Sequence, residues 1–296
     1  MSKATRIRHQ NARQKISAQR AAARRAGTRN RVLIAVGSVV VVIAIVLAFV
    51  FIKLGGKPAS AGSGSVTGTA LSASAARDVT SVPASTLNTV GLGSVLKYNQ
   101  SPISAVRDTA LTSNGKAEML YIGAEFCPYC AAERWAMAVA LSRFGTLSPL
   151  HGIHSSGTDV DPNTPTLTFY DSTYTSKYLV FTPVENQTIA HTPLQNTTAA
   201  QQNLWQKYDS SSSGVGYPFI DFGNQYVITA PSYDPGVLAG LTWAQVAAAL
   251  HNPTSAVAQG ADGTANLITA AICKMTKGQP GSVCGSAAVV KASGSL

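Results

Sequence analysis

Residues 117–144 read AEMLYIGAEFCPYCAAERWAMAVALSRF. An apolar run, Ala117 to Gly123, reads as a buried strand and gives way within a few residues to a helix-forming run, Ala131 to Phe144. Met137, Leu141 and Phe144 recur at i, i+4 and i+7 of that helix, and Gly145 follows as its stop. Two thiols, Cys127 and Cys130, sit at the junction, so any fold this chain adopts must set a cysteine pair where a strand ends and a helix begins.

That position has chemical consequences. With Cys127 at the strand end and Cys130 in the first helical turn, unpaired backbone N–H groups and the positive end of the helix dipole face the Cys127 sulfur and favour its thiolate. Pro128 suits the first helical position, which needs no N–H donor and a φ that proline already has. Cys130, one turn on, is placed to attack a mixed disulfide formed at Cys127 and release the partner. A bond between the two would close a tiny ring, and a ring that small gains little from loop entropy. Three readings of the pair stand: thiol-disulfide exchange, a structural bridge, or a metal site. The metal reading suffers because the other two cysteines, Cys273 and Cys284, have ten residues between them.

The setting of the pair follows from the amino terminus. The formal charge of +10 suggests nucleic acid until the charge is located. Residues 1–31 hold ten of the 23 Lys and Arg and no Asp or Glu, leaving 13 basic against 13 acidic residues elsewhere. No nucleic-acid partner is expected. Next comes VLIAVGSVVVVIAIVLAFVFI, residues 32–52, 21 uncharged residues in a row, long enough as a helix to cross a hydrocarbon layer of about 30 Å. Seven Lys or Arg lie in the 20 residues before it, and only Lys53 and Lys57 in the 20 after. This asymmetry predicts a cytoplasmic tail (1–31), one transmembrane helix (32–52) in the lipid bilayer, and an extracytoplasmic remainder. A cleavable signal peptide competes, since Ala59, Ser60 and Ala61 form an A-x-A triplet, but its apolar core should be roughly 7 to 15 residues. Residues 53–85, rich in Gly, Ala and Ser, read as a flexible stalk. All four cysteines then lie on the oxidising side, where disulfides persist.

Residues 86–296 are long enough for one domain with a real core. Strands are expected at 150–155, 167–170 and 178–184, helices at 198–208 and 242–250, and a hairpin at 217–228 around Gly223-Asn224. From about residue 254 a C-terminal extension is expected, its apolar helix Ala265 to Ile272 followed by Cys273 and Cys284. A bridge between those two would stabilise by about 2 to 3 kcal/mol as a structural clamp, the alternative being a relay pair that feeds Cys127 and Cys130. His151 and His154 fall on opposite faces of a strand, poor geometry for a shared metal, and no metal site is expected. Trp135 reads as core. Asn186 and Asn196 match N-x-[ST], a short pattern of low specificity. No Walker loop, G-x-G-x-x-G or G-x-S-x-G is present, and no cofactor is expected.

The run EMLYIGAEFCPYCAAERW resembles the strand, active-site turn and helix of thioredoxin-fold oxidoreductases, and CPYC is also the glutaredoxin motif. More closely, GAEFCPYCAAERWAMAVALSRFG, PFIDFGNQYVI and ANLITAAICKMTKGQPGSVC resemble a family of bacterial and archaeal membrane-anchored thioredoxin-like proteins classed as a domain of unknown function, over most of residues 85–285. The resemblance implies an α/β thioredoxin-like fold with a cis-proline facing the cysteines. Thr164-Pro165 and Tyr217-Pro218 are candidates; only Pro218 leads straight into a hairpin and a final helix, which puts the extra residues in an insertion before it. It further implies Cys127 and Cys130 as catalytic residues, with Tyr217, Pro218, Pro128 and Tyr129 holding substrate. Many thioredoxins bury a carboxylate six residues before the first cysteine, where this chain has Tyr121. Proton transfer to Cys130 would then use water, Glu125 or Glu133, although Glu125 reads as a solvated loop residue and Glu133 equally as an exposed first-turn carboxylate. The implied activity is thiol-disulfide exchange on cysteines of exported proteins, aided by a membrane redox partner, and the oxidising location favours oxidase or isomerase over reductase. The competing reading is a non-catalytic binding or scaffold module whose disulfides are inert.

Overall fold

The computed structural model describes residues 68–211 and 214–296. The expected cytoplasmic tail, transmembrane helix and first part of the stalk lie outside the described residues, and among those described no helix is long and apolar enough to cross a membrane.

The chain opens with strand β1 (Thr69–Ala70), helices α1 (Ala73–Thr80), α2 (Ala84–Val90) and α3 (Val95–Tyr98), and short strands β2 (Ser104–Ala105) and β3 (Thr112–Ser113). Strand β4 (Lys116–Gly123) then leads into helix α4 (Pro128–Ser142). Four short strands follow: β5 (Gly145–Ser148), β6 (His151–His154), β7 (Pro165–Thr168) and β8 (Thr173–Ser176). Strand β9 (Leu179–Glu185) and helix α5 (Ala199–Tyr208) precede a small ribbon, β10 (Ser210–Ser211) and β11 (Gly214–Val215). The hairpin β12 (Phe219–Phe222) and β13 (Tyr226–Ile228) is followed by helices α6 (Trp243–Ala249), α7 (Ala256–Met275), α8 (Gly281–Cys284) and α9 (Ala287–Ala292).

The central sheet is built on β4. β9 runs parallel to it on one side and β12 antiparallel on the other, with β13 and then β2 continuing outward from β12. β4 buries alternate residues into two different cores, which is why it reads as a continuous apolar run and not as an alternating one. Met119 and Tyr121 face the larger core with α4 and α7; Leu120 and Ile122 face a smaller one with Trp205 of α5. Gly223 (φ 67°) and Asn224 (φ 58°), both left-handed, turn the β12–β13 hairpin, in which Phe222 pairs with Tyr226 across three residues. Capping boxes at Thr198/Gln201 and Thr242/Gln245 fix the starts of α5 and α6.

Helix α4 is buried on all sides, leaving only Tyr129 and Ser142 outside the core among its 15 residues. The stripe expected from Met137 and Leu141 is therefore one part of an all-round interface. Its alanines, and those of α7, let the two helices pack closely. The extension expected from about residue 254 is thus a principal packing partner of the cysteine helix, with α7 starting at Ala256 and not at Ala265. Cys273 and Cys284 form a disulfide with Cα atoms 5.6 Å apart, tying the end of α7 to α8.

One further segment differs from expectation. The stalk assigned up to residue 85 is folded from residue 69 onward. Ser72 caps α1 by accepting the Ala75 N–H, Ala75 and Val79 turn inward, and Asn266 donates to the Leu87 and Gly91 carbonyls. Few large apolar residues suffice here because these short helices lie on surfaces that α4, α6 and α7 already present. Between α4 and β9 the chain forms the β5–β8 ribbon and, with β1, the β1–β6–β7 sheet.

Candidate active site

Cys127 is the N-cap of α4. Its backbone is extended (φ −74°, ψ 121°), Pro128 occupies the first turn, and its Sγ accepts the backbone N–H of Cys130 at 3.2 Å. A residue that ends a strand cannot also be helical, so the sulfur falls where the helix has donors without intrahelical acceptors. Both cysteines are thiols in this structure, Cys127 with 4% of its surface exposed and Cys130 with none. The Cys127 thiol is held below the ordinary range, chiefly by a hydrogen bond from the Cys130 thiol, then by backbone N–H groups and the Arg134 charge, against the opposing effect of burial. Cys130 moves the other way, pushed well up by burial and by its bond to Cys127. One sulfur is thus suited to attack and the other to hold its proton until needed.

Directly beneath lies an ion pair. Arg134, four residues after Cys130 and so on the same side of α4, donates from Nε and Nη2 to the two oxygens of Glu185 at 2.8 and 2.7 Å. Nη2 also donates to the Ala124 carbonyl at 2.7 Å, and both side chains are fully buried. Glu185 ends β9 opposite Gly123 and accepts the Phe169 N–H as well.

The rim is aromatic. Phe126 stacks on His191 (3.9 Å between rings) and meets Tyr217 edge-on (5.9 Å). Tyr217 packs on Trp205, and its hydroxyl donates to Asn186 Oδ1 at 2.5 Å. Tyr217 and Tyr129 are half-buried against the cysteine pair, whereas Pro128 and Pro218 are buried. The Tyr217-Pro218 bond is cis, and Thr164-Pro165 is not. The structure therefore gathers Cys127, Cys130, Tyr129 and Tyr217 in one cluster, while Cys273 and Cys284 are held in their own bridge.

The carboxylates considered as proton carriers are placed otherwise than expected. Glu125 is 1% exposed, not solvated, and accepts the Thr168 hydroxyl at 2.7 Å. Glu133 is fully buried, accepts the Ser232 N–H at 2.6 Å, and is pushed up to about 7 by burial. Its bond to Ser232 ties it to the segment after β13. Glu133 departs from the exposure normal for carboxylates because α4 is sheathed on every side, and Glu125 because it lies in the loop before α4 against Thr168 of β7. Tyr121 is buried edge-on to Phe169. His151 is buried and His154 exposed against Trp243, on opposite faces as expected; Trp135 is core and donates to the Pro165 carbonyl. Among the described residues no group of three or more His, Cys, Asp or Glu side chains could hold a metal. Asn186 spends both ends of its amide, on Tyr217 and on the Gln195 carbonyl.

Sequence reasoning missed Arg134, Glu185, Phe126 and His191. One signal was present: Glu133-Arg134 is the only charged pair in a helix of Ala, Trp, Met and Leu, and Arg134 stands at i+4 from Cys130.

Fold and site define a mixed α/β domain with a dithiol set at a strand-to-helix junction. The chain belongs to the domain-of-unknown-function family DUF929, whose signature spans residues 102–274, from the segment before β2 almost to the end of α7. No curated protein and no solved structure matches it.

Proposed function

We propose that this chain is a membrane-tethered, extracytoplasmic thiol-disulfide oxidoreductase with a thioredoxin-like core, passing disulfides to the cysteines of exported proteins. The observation that carries the reading is the Cys127 sulfur at the cap of α4, accepting a backbone N–H and activated relative to its buried partner. The parallel β4–α4–β9 unit, with an antiparallel hairpin on the other side of β4, supports the thioredoxin-like comparison. The uncharged run 32–52 and its basic flank support the tether.

In the oxidised protein, a substrate thiolate attacks Cys127 Sγ, and the Cys127–Cys130 bond breaks as a mixed disulfide forms. The second substrate thiolate then attacks its own disulfide-linked sulfur and releases Cys127 as thiolate. Two electrons pass from substrate to protein. Of the two substrate protons, one remains on Cys130 and one goes to solvent. Turnover consumes a further disulfide, carried by a redox partner, as electron acceptor.

A Cys130→Ser variant of the full chain is expected to accumulate mixed disulfides with exported proteins at Cys127, and Cys127→Ser to accumulate none. Absence of adducts in both would remove the enzyme reading. The alternative, an inert binding module, is favoured by the 4% exposure of Cys127 and would leave that thiol unreactive in the folded chain.

A further inference from the structure

We propose that Arg134 is a positioning residue that sets the redox poise of the dithiol, its buried charge favouring the reduced, thiolate-bearing form so that the protein donates disulfides. This deepens the exchange reading and rests on it.

The geometry is specific. Arg134 shares a helix face with Cys130, and its Nη2 holds the carbonyl of Ala124, the first residue after β4 on the way to the cysteine turn. The guanidinium is fully buried, and its Nη1 has no partner among the described residues. A fully buried donor left over from a bidentate pair is a costly arrangement, and removing either member alone leaves an uncompensated charge. Glu185 is anchored by partners of its own: it sits at the end of β9, accepts the Phe169 N–H, and its backbone N–H donates to Gln195 Oε1. Arg134 thus ties its guanidinium to the cysteine turn, one helical turn from Cys130. Beside the pair also lie the phenols Tyr121, Tyr129 and Tyr217, of which Tyr121 and Tyr217 are raised by burial, and the buried Glu125 side chain, which accepts the Thr168 hydroxyl. The charge that Arg134 brings to the dithiol is positive. A positive centre stabilises a thiolate and leaves a neutral disulfide unaffected, so it shifts the balance toward reduction of the protein and oxidation of the substrate.

The test is the equilibrium constant of the full-length chain against a glutathione redox buffer. Removing both charges while keeping volume and the acceptor for Phe169, as Arg134→Met/Glu185→Gln, is expected to make the Cys127–Cys130 disulfide about tenfold harder to reduce, about 30 mV lower in potential. Glu185→Gln alone leaves the positive charge unopposed and is expected to move the constant in the opposite direction. Structural damage has no reason to give opposite signs. A folded double variant within twofold of the parent, or shifts of the same sign in both, would overturn the proposal. Should either variant fail to fold, the parent chain labelled at arginine decides. The Arg134 side-chain resonance must then follow the titration of Cys127, and a resonance blind to it refutes the coupling. If the parent dithiol does not equilibrate with glutathione at all, the exchange reading fails instead.

Discussion

Asp262 gives the sharpest stability prediction. It lies within α7, has no exposed surface, and neither carboxyl oxygen has a hydrogen-bond partner among the described residues. Burial raises its pKa from 3.8 to about 8, so the folded chain keeps it protonated where the unfolded chain does not. Because the folded value is the higher one, the stabilisation is complete below the unfolded pKa and is lost as pH rises through the folded value. One proton bound in the folded state and absent from the unfolded state gives a slope of about 1.4 kcal/mol per pH unit. Between pH 5 and pH 7.5 that amounts to about 3 kcal/mol, a large share of the roughly 5–15 kcal/mol that holds a domain together. Asp262→Asn replaces the acid with a neutral group of similar shape. Urea unfolding, followed through Trp135, Trp205 and Trp243, should show the variant gaining about 2–3 kcal/mol on the parent across that interval. Parallel stability curves for the two chains would refute the assignment of a protonated Asp262.

Two other perturbations separate structure from chemistry. Replacing Cys273 and Cys284 together by Ser opens a loop closed over a sequence separation of 11. It should cost about 3 kcal/mol and about 5–10 °C in Tm, with the exchange rate of Cys127 unchanged; loss of exchange without loss of stability would assign the second pair a relay role. Gly123→Ala would push a Cβ into the Tyr121 hydroxyl. It is expected to destabilise by about 1–3 kcal/mol on urea unfolding, because Tyr121 is wedged between Phe169 and Arg134, and an unaltered midpoint would mean that this strand end is looser than drawn.

What the sequence disclosed was what local physics decides. The strand-to-helix junction at Cys127 with Pro128 behind it, the helices beginning near 198 and 242, and the Gly223-Asn224 turn depend on a handful of neighbouring residues, and all were legible. Burial of Glu133, Arg134 and Glu125 was not, because it depends on partners far along the chain: Glu185 is 51 residues from Arg134, and Ser232 is 99 from Glu133. The helices at 73–90 escaped for a related reason. Their Ala, Ser and Thr resemble a linker unless the groove formed by α4 and α7 is already known. The same holds for β5–β8, whose short strands pair only with one another and with β1.

The central claim concerns the inequality of two sulfurs three residues apart. It is tested most directly by alkylating the reduced full-length chain across a pH series and locating the label by mass spectrometry. The account requires Cys127 to be modified first, with its rate levelling off at lower pH than that of an ordinary thiol, while Cys130 stays unmodified until the fold is lost. Equal labelling of both cysteines along the profile of a free thiol, or no labelling of Cys127 in the folded chain, would contradict it.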